Sequence, residues 1–371
     1  MKLLGEEGRR LLRLGLFPGL LGGGLAVAFR LLLDLLLLVP PLALPLAGGA
    51  VGLFSAWLYR RLPDLRGGGV DRVLLAYHLG QGRLPPRLGP LKALLTALTL
   101  GLGGSGGQEG PLLYAGGALA QALRPRNPAE ARAVLLAGGA AAIAALFHTP
   151  LGAAFFAAEV LYRGSALEGR LLGYLAVAAI SGYGLQSLFF GTRPLLPVQG
   201  LEAPPLWFAL ALAPLAALGA WALVSAAART PFAAVVQMVE ITGSYALLVP
   251  GLLVAFGAFA LNRETLFPLQ PSGPEASPAH AEDLLRGLAQ LPPGRPLLLG
   301  DLGAVLLEVR EGHPWAGKPL KDTALPPGVL VGLVFRQAHL LAPRGQDRLE
   351  PGDRVLLLGP QEEVARFAAR S

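Results

Sequence analysis

Apolar residues dominate the first 263 positions in long blocks with few interruptions. Stretches free of Asp, Glu, Lys and Arg cover 14–29, 35–59, 93–108, 110–123, 133–158, 171–192, 203–228 and 241–262. A straight membrane-spanning helix needs about 20 apolar residues. Several of these blocks reach that length, and others are short and broken by Gly or Pro. Short interrupted segments serve transporters where a helix stops inside the membrane with its end facing an ion. Tilted helices with Gly-rich packing faces leave the same trace. The pattern predicts an all-α polytopic membrane domain with broken helices.

One internal repeat stands out. His148-Thr149-Pro150 opens an apolar run that reaches Glu159, and Arg229-Thr230-Pro231 opens another that reaches Glu240. Pro suits the first helical turn, so each copy reads as a helix starting at Thr-Pro. Matching Glu positions suggest a duplicated, inverted fold. The second half is then much shorter than the first.

The pattern changes after residue 270. Residues 271–297 are Pro/Gly-rich and read as a linker with one helix at 280–289. Within 298–371, runs at 303–310, 329–335 and 354–358 are rich in β-formers and separated by turns, with a closing helix at 361–370. This is a small α+β domain.

Composition supports the division. Charged residues make up 15% of the chain, against about 25% in a soluble protein. Residues 264–371 carry them at nearly twice the density of residues 1–263. The positive excess lies in the apolar part, which suits membrane flanks or an anion and argues against nucleic acid. With no cysteine, thiol catalysis and Cys-ligated metal are excluded. Met1–Arg13 is charged and amphipathic and does not read as a cleavable signal peptide. No nucleophile–base set, HExxH, Walker loop or metal cluster argues for an enzyme, and no cofactor is expected.

The most specific segment is Gly103-Gly104-Ser105-Gly106-Gly107-Gln108-Glu109-Gly110-Pro111. Pro111 suits a helix start, whose unpaired N–H groups and dipole attract anions. Glycines allow close approach to the backbone. A carboxylate in the membrane is expensive and marks function. Glu109 stands where an anion would sit, and protonation would clear the place.

Gly107-Gln108-Glu109-Gly110-Pro111 resembles the G-(K/R)-E-G-P motif of the CLC family of chloride channels and proton-coupled chloride antiporters. Gly67-Gly68-Gly69-Val70-Asp71 stands where the family has G-S-G-I-P. Residues 141–159, 229–250 and Leu266-Phe267 resemble later family segments, so the likeness covers most of 14–270. It implies an inverted-repeat membrane domain over 1–270, a gating role for Glu109, and an anion site at Gly67, Gly68, Gly69, Gly107, Gln108, Gly110 and Phe267. It also implies a proton path near Glu159, and a homodimer meeting around 150–161 and 231–241.

The chain departs from the family in three ways. The coordinating Ser is Gly68, and the central Tyr is Phe267, so both hydroxyl donors are missing. Val160 follows Glu159 where proton-coupled members often carry a second Glu. The second-half G-x-F-x-P motif has no match between Ser165 and Arg229. Residues 311–320, 325–329, 343–345 and 349–353 resemble the C-terminal RCK (regulator of K+ conductance) domain, a ligand-binding, dimerising module. The expectation is proton-coupled antiport of chloride or a related anion in the inner membrane. The C-terminal domain at 298–371 would be cytoplasmic and open to a cyclic dinucleotide or another small ligand. A passive channel, or a regulatory membrane protein without transport, is the alternative.

Overall fold

The computed structural model describes residues 5–197, 207, 220–280, 293–294, 296–299, 302–323, 325–336, 339–341 and 343–368. The chain divides after His280 into a helical unit and a smaller C-terminal unit.

In the first unit the described helices are α1 (Glu6–Leu11), α2 (Phe17–Leu36), α3 (Leu44–Arg61), α4 (Val70–His78), α5 (Leu88–Gly101) and α6 (Glu109–Ala120). They continue with α7 (Pro128–Phe147), α8 (Pro150–Glu159), α9 (Gly169–Phe190), α10 (Ala220–Ala228), α11 (Pro231–Thr242) and α12 (Leu248–Leu261). A widened turn at Leu12–Leu16 joins α1 to α2 without a break. The stretches Glu6–Leu36, Pro41–Arg61, Pro128–Phe147 and Gly169–Phe190 are long and apolar enough to cross a membrane. Helices α5, α11 and α12 are apolar but shorter, as the interrupted blocks imply.

Helix α7 is the centre of this unit. It is buried along nearly its whole length and packs on α2, α6, α8 and α9. The contacts run through small residues. A Cβ on Gly22 or Gly116 would fall 2.1 or 2.3 Å from the Gly138 carbonyl oxygen. Helices lacking a hydrophobic driving force between them associate through such close backbone packing.

The charge-free stretch 133–158 is two helices. His148 takes a left-handed backbone (φ 56°) and Pro150 starts a new helix. The second repeat does the same, with Arg229 at φ 62°. Thr149 (φ −125°, ψ 71°) and Thr230 (φ −124°, ψ 67°) match closely. Helices α8 and α11 pack on each other. Glu159 accepts from the N–H groups of Phe232 and Ala233 at 3.1 and 2.9 Å. Glu240 accepts from Leu151 and Gly152 at 3.0 and 2.7 Å. Each helix end thus caps the other's start, which makes the pair antiparallel. Residues 152–154 and 156–162 are buried within the chain, so little of the expected dimer stretch at 150–161 is free to meet a second copy.

Residues 271–280, expected in the linker, belong to the helical unit. Arg163 and Gly164 donate backbone hydrogen bonds to Pro271 and Ser272. The buried Glu168 carboxylate accepts from Tyr77 (2.9 Å) and Tyr162 (2.7 Å) and lies 2.8 Å from His280 Nε2. His78 Nδ1 meets Ser277 Oγ at 2.8 Å, and Arg132 Nη1 donates to the Ala279 carbonyl. The linker helix expected at 280–289 falls on residues 281–289, outside the described residues.

The C-terminal unit holds β1 (Pro296–Leu299), β2 (Leu302–Glu308), β3 (Leu330–Arg336), β4 (His339–Leu341), β5 (Arg354–Pro360) and the closing helix α13 (Gln361–Ala368). The sheet is antiparallel in the order β1-β2-β5-β3-β4. Val305 pairs with Leu357 and Val334 with Val355. On one face Val305, Leu307, Val355, Leu357 and Val364 form the core with Trp315. Strands β1 and β4 escape the sequence reading because one is four residues and the other three.

Candidate functional site

The loop Gly67–Gly69 and the start of α6 lie face to face. A Cβ on Gly69 would meet the Gly110 carbonyl oxygen at 2.5 Å, and one on Gly110 would meet that of Gly68 at 2.6 Å. Gly69 also needs its left-handed φ of 105°, which glycine adopts without strain. The close approach therefore requires glycine on both sides. Helix α6 begins at Glu109, and Pro111 sits in its first turn. The N–H groups of Glu109 and Gly110 have no acceptor within the helix.

Beside this contact lies a cleft of about 610 Å3. Gly68, Gly107, Gln108, Glu109, Gly110 and Phe267 all line it. These segments are distant in sequence, and the fold brings them to one place. Gly67 and Gly69, both with left-handed φ (81° and 105°), stand either side of Gly68 in the chain and do not line the cleft themselves. Apolar side chains close the rest: Phe147 and Phe156 from α7 and α8, Leu223 and Val224 from α10, and Leu266. Glu109 is half-buried on this wall. Its carboxylate has no hydrogen-bond or ion-pair partner among the described residues. Helix-start N–H groups, a carboxylate and an apolar enclosure can hold a small anion and exchange it for the carboxylate.

Glu159 does not reach the cleft. Phe156 of the same helix does, while Glu159 is fully buried as the cap of α11. The expected G-x-F-x-P position falls between Ser165 and Arg229. Of that stretch, residues 198–206 and 208–219 lie outside the described residues.

Two positioning residues escape the sequence reading. Lys92 of α5 is buried, and its ammonium donates to the carbonyls of Leu65 (2.8 Å) and Gly67 (2.6 Å). It fixes the glycine loop from behind and places a cation there. A buried charge between apolar blocks is the signal that could have found it. Gln270 donates to the carbonyls of Val160 (2.7 Å) and Ala228 (3.1 Å). Leu266 N–H donates to Ala227 at 2.9 Å. Together they pin the Phe267 segment to the ends of α8 and α10. Nothing in the sequence marks Gln270.

In the C-terminal unit the Leu-Glu-Pro-Gly-Asp turn is a lock. Arg336 grips Asp353 with two bonds of 2.8 Å and reaches Glu350 at 2.6 Å. The Glu350 N–H also donates to Asp353. His313 accepts from the Trp315 N–H at 3.2 Å, a local turn contact.

The chain resembles known proteins in both units. A segment of 163 residues is 28% identical to the voltage-gated ClC-type chloride channel ClcB of Yersinia pseudotuberculosis, covering 43% of this chain and 39% of that protein. A segment of 229 residues is 28% identical to a chloride/fluoride channel protein of Pseudomonas syringae pv. tomato, covering 59% and 48%. The chain thus spans less than half the length of these relatives. Its fold matches a slow cyanobacterial Cl−/H+ antiporter (TM-score 0.60, 17% identity, 76% of this chain and 98% of that one). It also matches a CLC-type fluoride/proton antiporter (TM-score 0.59, 19% identity, 72% and 99%). The TrkA-C domain model matches residues 304–370. The voltage gated chloride channel model matches residues 51–220 and 204–263, most of the helical unit and more than half of the chain, which therefore belongs to that family and carries a TrkA-C domain at its C-terminal end.

Proposed function

We propose that the chain carries chloride or a related small anion across the membrane in exchange for protons, with Glu109 as the gate. The observation behind this is the placement of an unpartnered carboxylate at the start of α6, on the same cleft as Gly68 and Phe267. A carboxylate at that helix start mimics a bound anion, and a proton taken from solution releases it. The relatives' names, which speak of chloride and fluoride, support a halide as the anion.

A second reading is passive conduction. Val160, fully buried, follows Glu159 where a second Glu would serve a separate proton route. Uptake of chloride or fluoride into liposomes, with internal pH recorded, separates the two. As the anion enters down its gradient, antiport drives protons out and raises the internal pH, whereas a channel dissipates the anion gradient with no proton movement.

The protein works in this reading as a homodimer with its C-terminal domain in the cytoplasm. Arg9, Arg10, Arg13, Arg126, Arg163 and Arg170 stand near the starts of α1–α2, α7 and α9. The chain leaves the helical unit on that same side, at His280 beside Glu168. Basic residues gather on the cytoplasmic side of membrane proteins. The C-terminal domain then senses a small cytoplasmic ligand, with a cyclic dinucleotide as one candidate. Light scattering of the full chain in detergent tests the dimer, and a monomer would overturn it.

A further inference from the structure

A second cleft, of about 760 Å3, opens where the widened turn at Leu12–Leu16 meets the starts of α7 and α9. Four arginines line it, Arg9, Arg10, Arg13 and Arg126, against two carboxylates, Glu6 and Glu130. Both carboxylates are already engaged. Glu6 lies 3.6 Å from Arg10 and Glu130 pairs with Arg13. Arg9 and Arg126 are exposed, and their side chains have no partner among the described residues. Arg13 keeps a buried Nε without an acceptor. The inner wall is apolar, formed by Leu14, Phe17, Leu171 and Tyr174.

The position along the chain matters as much as the charge. Residues 6–13 are densely charged and 14–29 carry no charge, so the cleft straddles the boundary between headgroups and hydrocarbon. Its surplus cations sit on the charged side and its apolar wall on the other. We propose that this cleft binds the headgroup of an anionic phospholipid. The phosphodiester lies between Arg9 and Arg126, and the acyl chains run over Leu14, Phe17 and Leu171. Basic pockets between membrane helices suit such headgroups, and planar guanidinium groups match phosphate oxygens. Free phosphate would satisfy the arginines but leave the apolar wall unused, which favours the lipid. Such a lipid would tie the N-terminal helix to α7 and α9.

Native mass spectrometry of the full chain, titrated with phosphatidylglycerol, phosphatidylcholine or inorganic phosphate, tests this. Phosphatidylglycerol should be retained at least about tenfold more tightly than phosphatidylcholine, since each arginine near the surface adds appreciable attraction. Inorganic phosphate should not be retained. Arg9→Gln with Arg126→Gln should abolish the preference. Arg60→Gln with Arg61→Gln, which removes equal charge at the end of α3, should keep it. Equal retention of the two lipids would overturn the proposal. So would retained phosphate, or equal loss of the preference in both double variants.

Discussion

Glu159 caps the helix that carries Glu240, and Glu240 caps the helix that carries Glu159. Both helices start with Thr-Pro, and the residue before it, His148 in one and Arg229 in the other, takes the left-handed conformation in each. This reciprocity explains why a Glu recurs nine residues after each Pro: an antiparallel pair of short helices, of 10 and 12 residues, places a carboxylate near the end of each at the other's free N–H groups. It gives Glu159 a structural role whatever its part in proton movement.

The two caps should differ in weight. Glu159 is fully buried, whereas Glu240 is half-buried and its bonds to Leu151 and Gly152 lie nearer the surface of the unit. Glu159→Ala strands the buried N–H of Ala233 and the half-buried one of Phe232, and a buried donor left without a partner costs about 1–3 kcal/mol. Thermal unfolding in detergent should show a larger loss for Glu159→Ala than for Glu240→Ala. Equal losses would argue that burial does not set the cost.

Chloride should bind weakly. Gly68 and Phe267 supply no hydroxyl, and each missing hydrogen bond is worth about 0.5–1.5 kcal/mol. A Cβ at position 68 would meet nothing within 4 Å, so the small side chain of Gly68→Ser has open space to enter. Gly68→Ser with Phe267→Tyr should tighten chloride binding about fivefold to a hundredfold by calorimetry. Unchanged affinity would mean that these positions do not reach the anion.

Much of the cleft was legible in the sequence because glycine clusters and a lone carboxylate are costly inside a membrane. Gly68, Gly107, Gln108, Glu109, Gly110 and Phe267 meet in one cleft, as the motifs imply. Glu159 was harder to place, because a cap on a distant helix leaves no local signature. The same holds for Gln270, which acts through the backbone of α8 and α10. The limit of the helical unit rests on contacts that leave no local pattern. Pro and Gly in 271–280 look like linker, but Ser277 and His280 are held by His78 and Glu168, far away in sequence.

That docking should be measurable. Glu168→Gln keeps the shape but removes the charge that Tyr77, Tyr162 and His280 converge on. A hydrogen bond to a charged group contributes about 1.5–3 kcal/mol. Amides of 276–280 should then exchange with solvent roughly tenfold to a hundredfold faster, with exchange in α7 unchanged. Unaltered exchange would mean that the backbone bonds of Arg163 and Gly164 hold the segment alone.

The C-terminal unit should loosen in acid. Burial pushes the Asp353 carboxyl up, but the hydrogen bond from Arg336, the Glu350 N–H and the Arg336 charge outweigh it, so it stays below the usual carboxylate range. An aspartate in an unfolded chain titrates near 3.9. A group depressed on folding contributes its full stability above that value and loses it as pH falls through the folded one. Exchange protection of β3 and β5 should therefore drop below about pH 4, and Asp353→Asn should flatten the drop while lowering protection at neutral pH. A profile unchanged by Asp353→Asn would place the acid sensitivity elsewhere.

The central claim is that the carboxylate of Glu109 occupies the anion's place until it is protonated. Flux through Glu109→Gln in liposomes, measured for anion and proton together across pH 4.5–7.5, tests it most directly. The Gln side chain stands for the protonated acid, so anion flux should persist, lose its pH dependence and carry no protons. Proton-coupled, pH-dependent flux like that of the unaltered protein would contradict the claim.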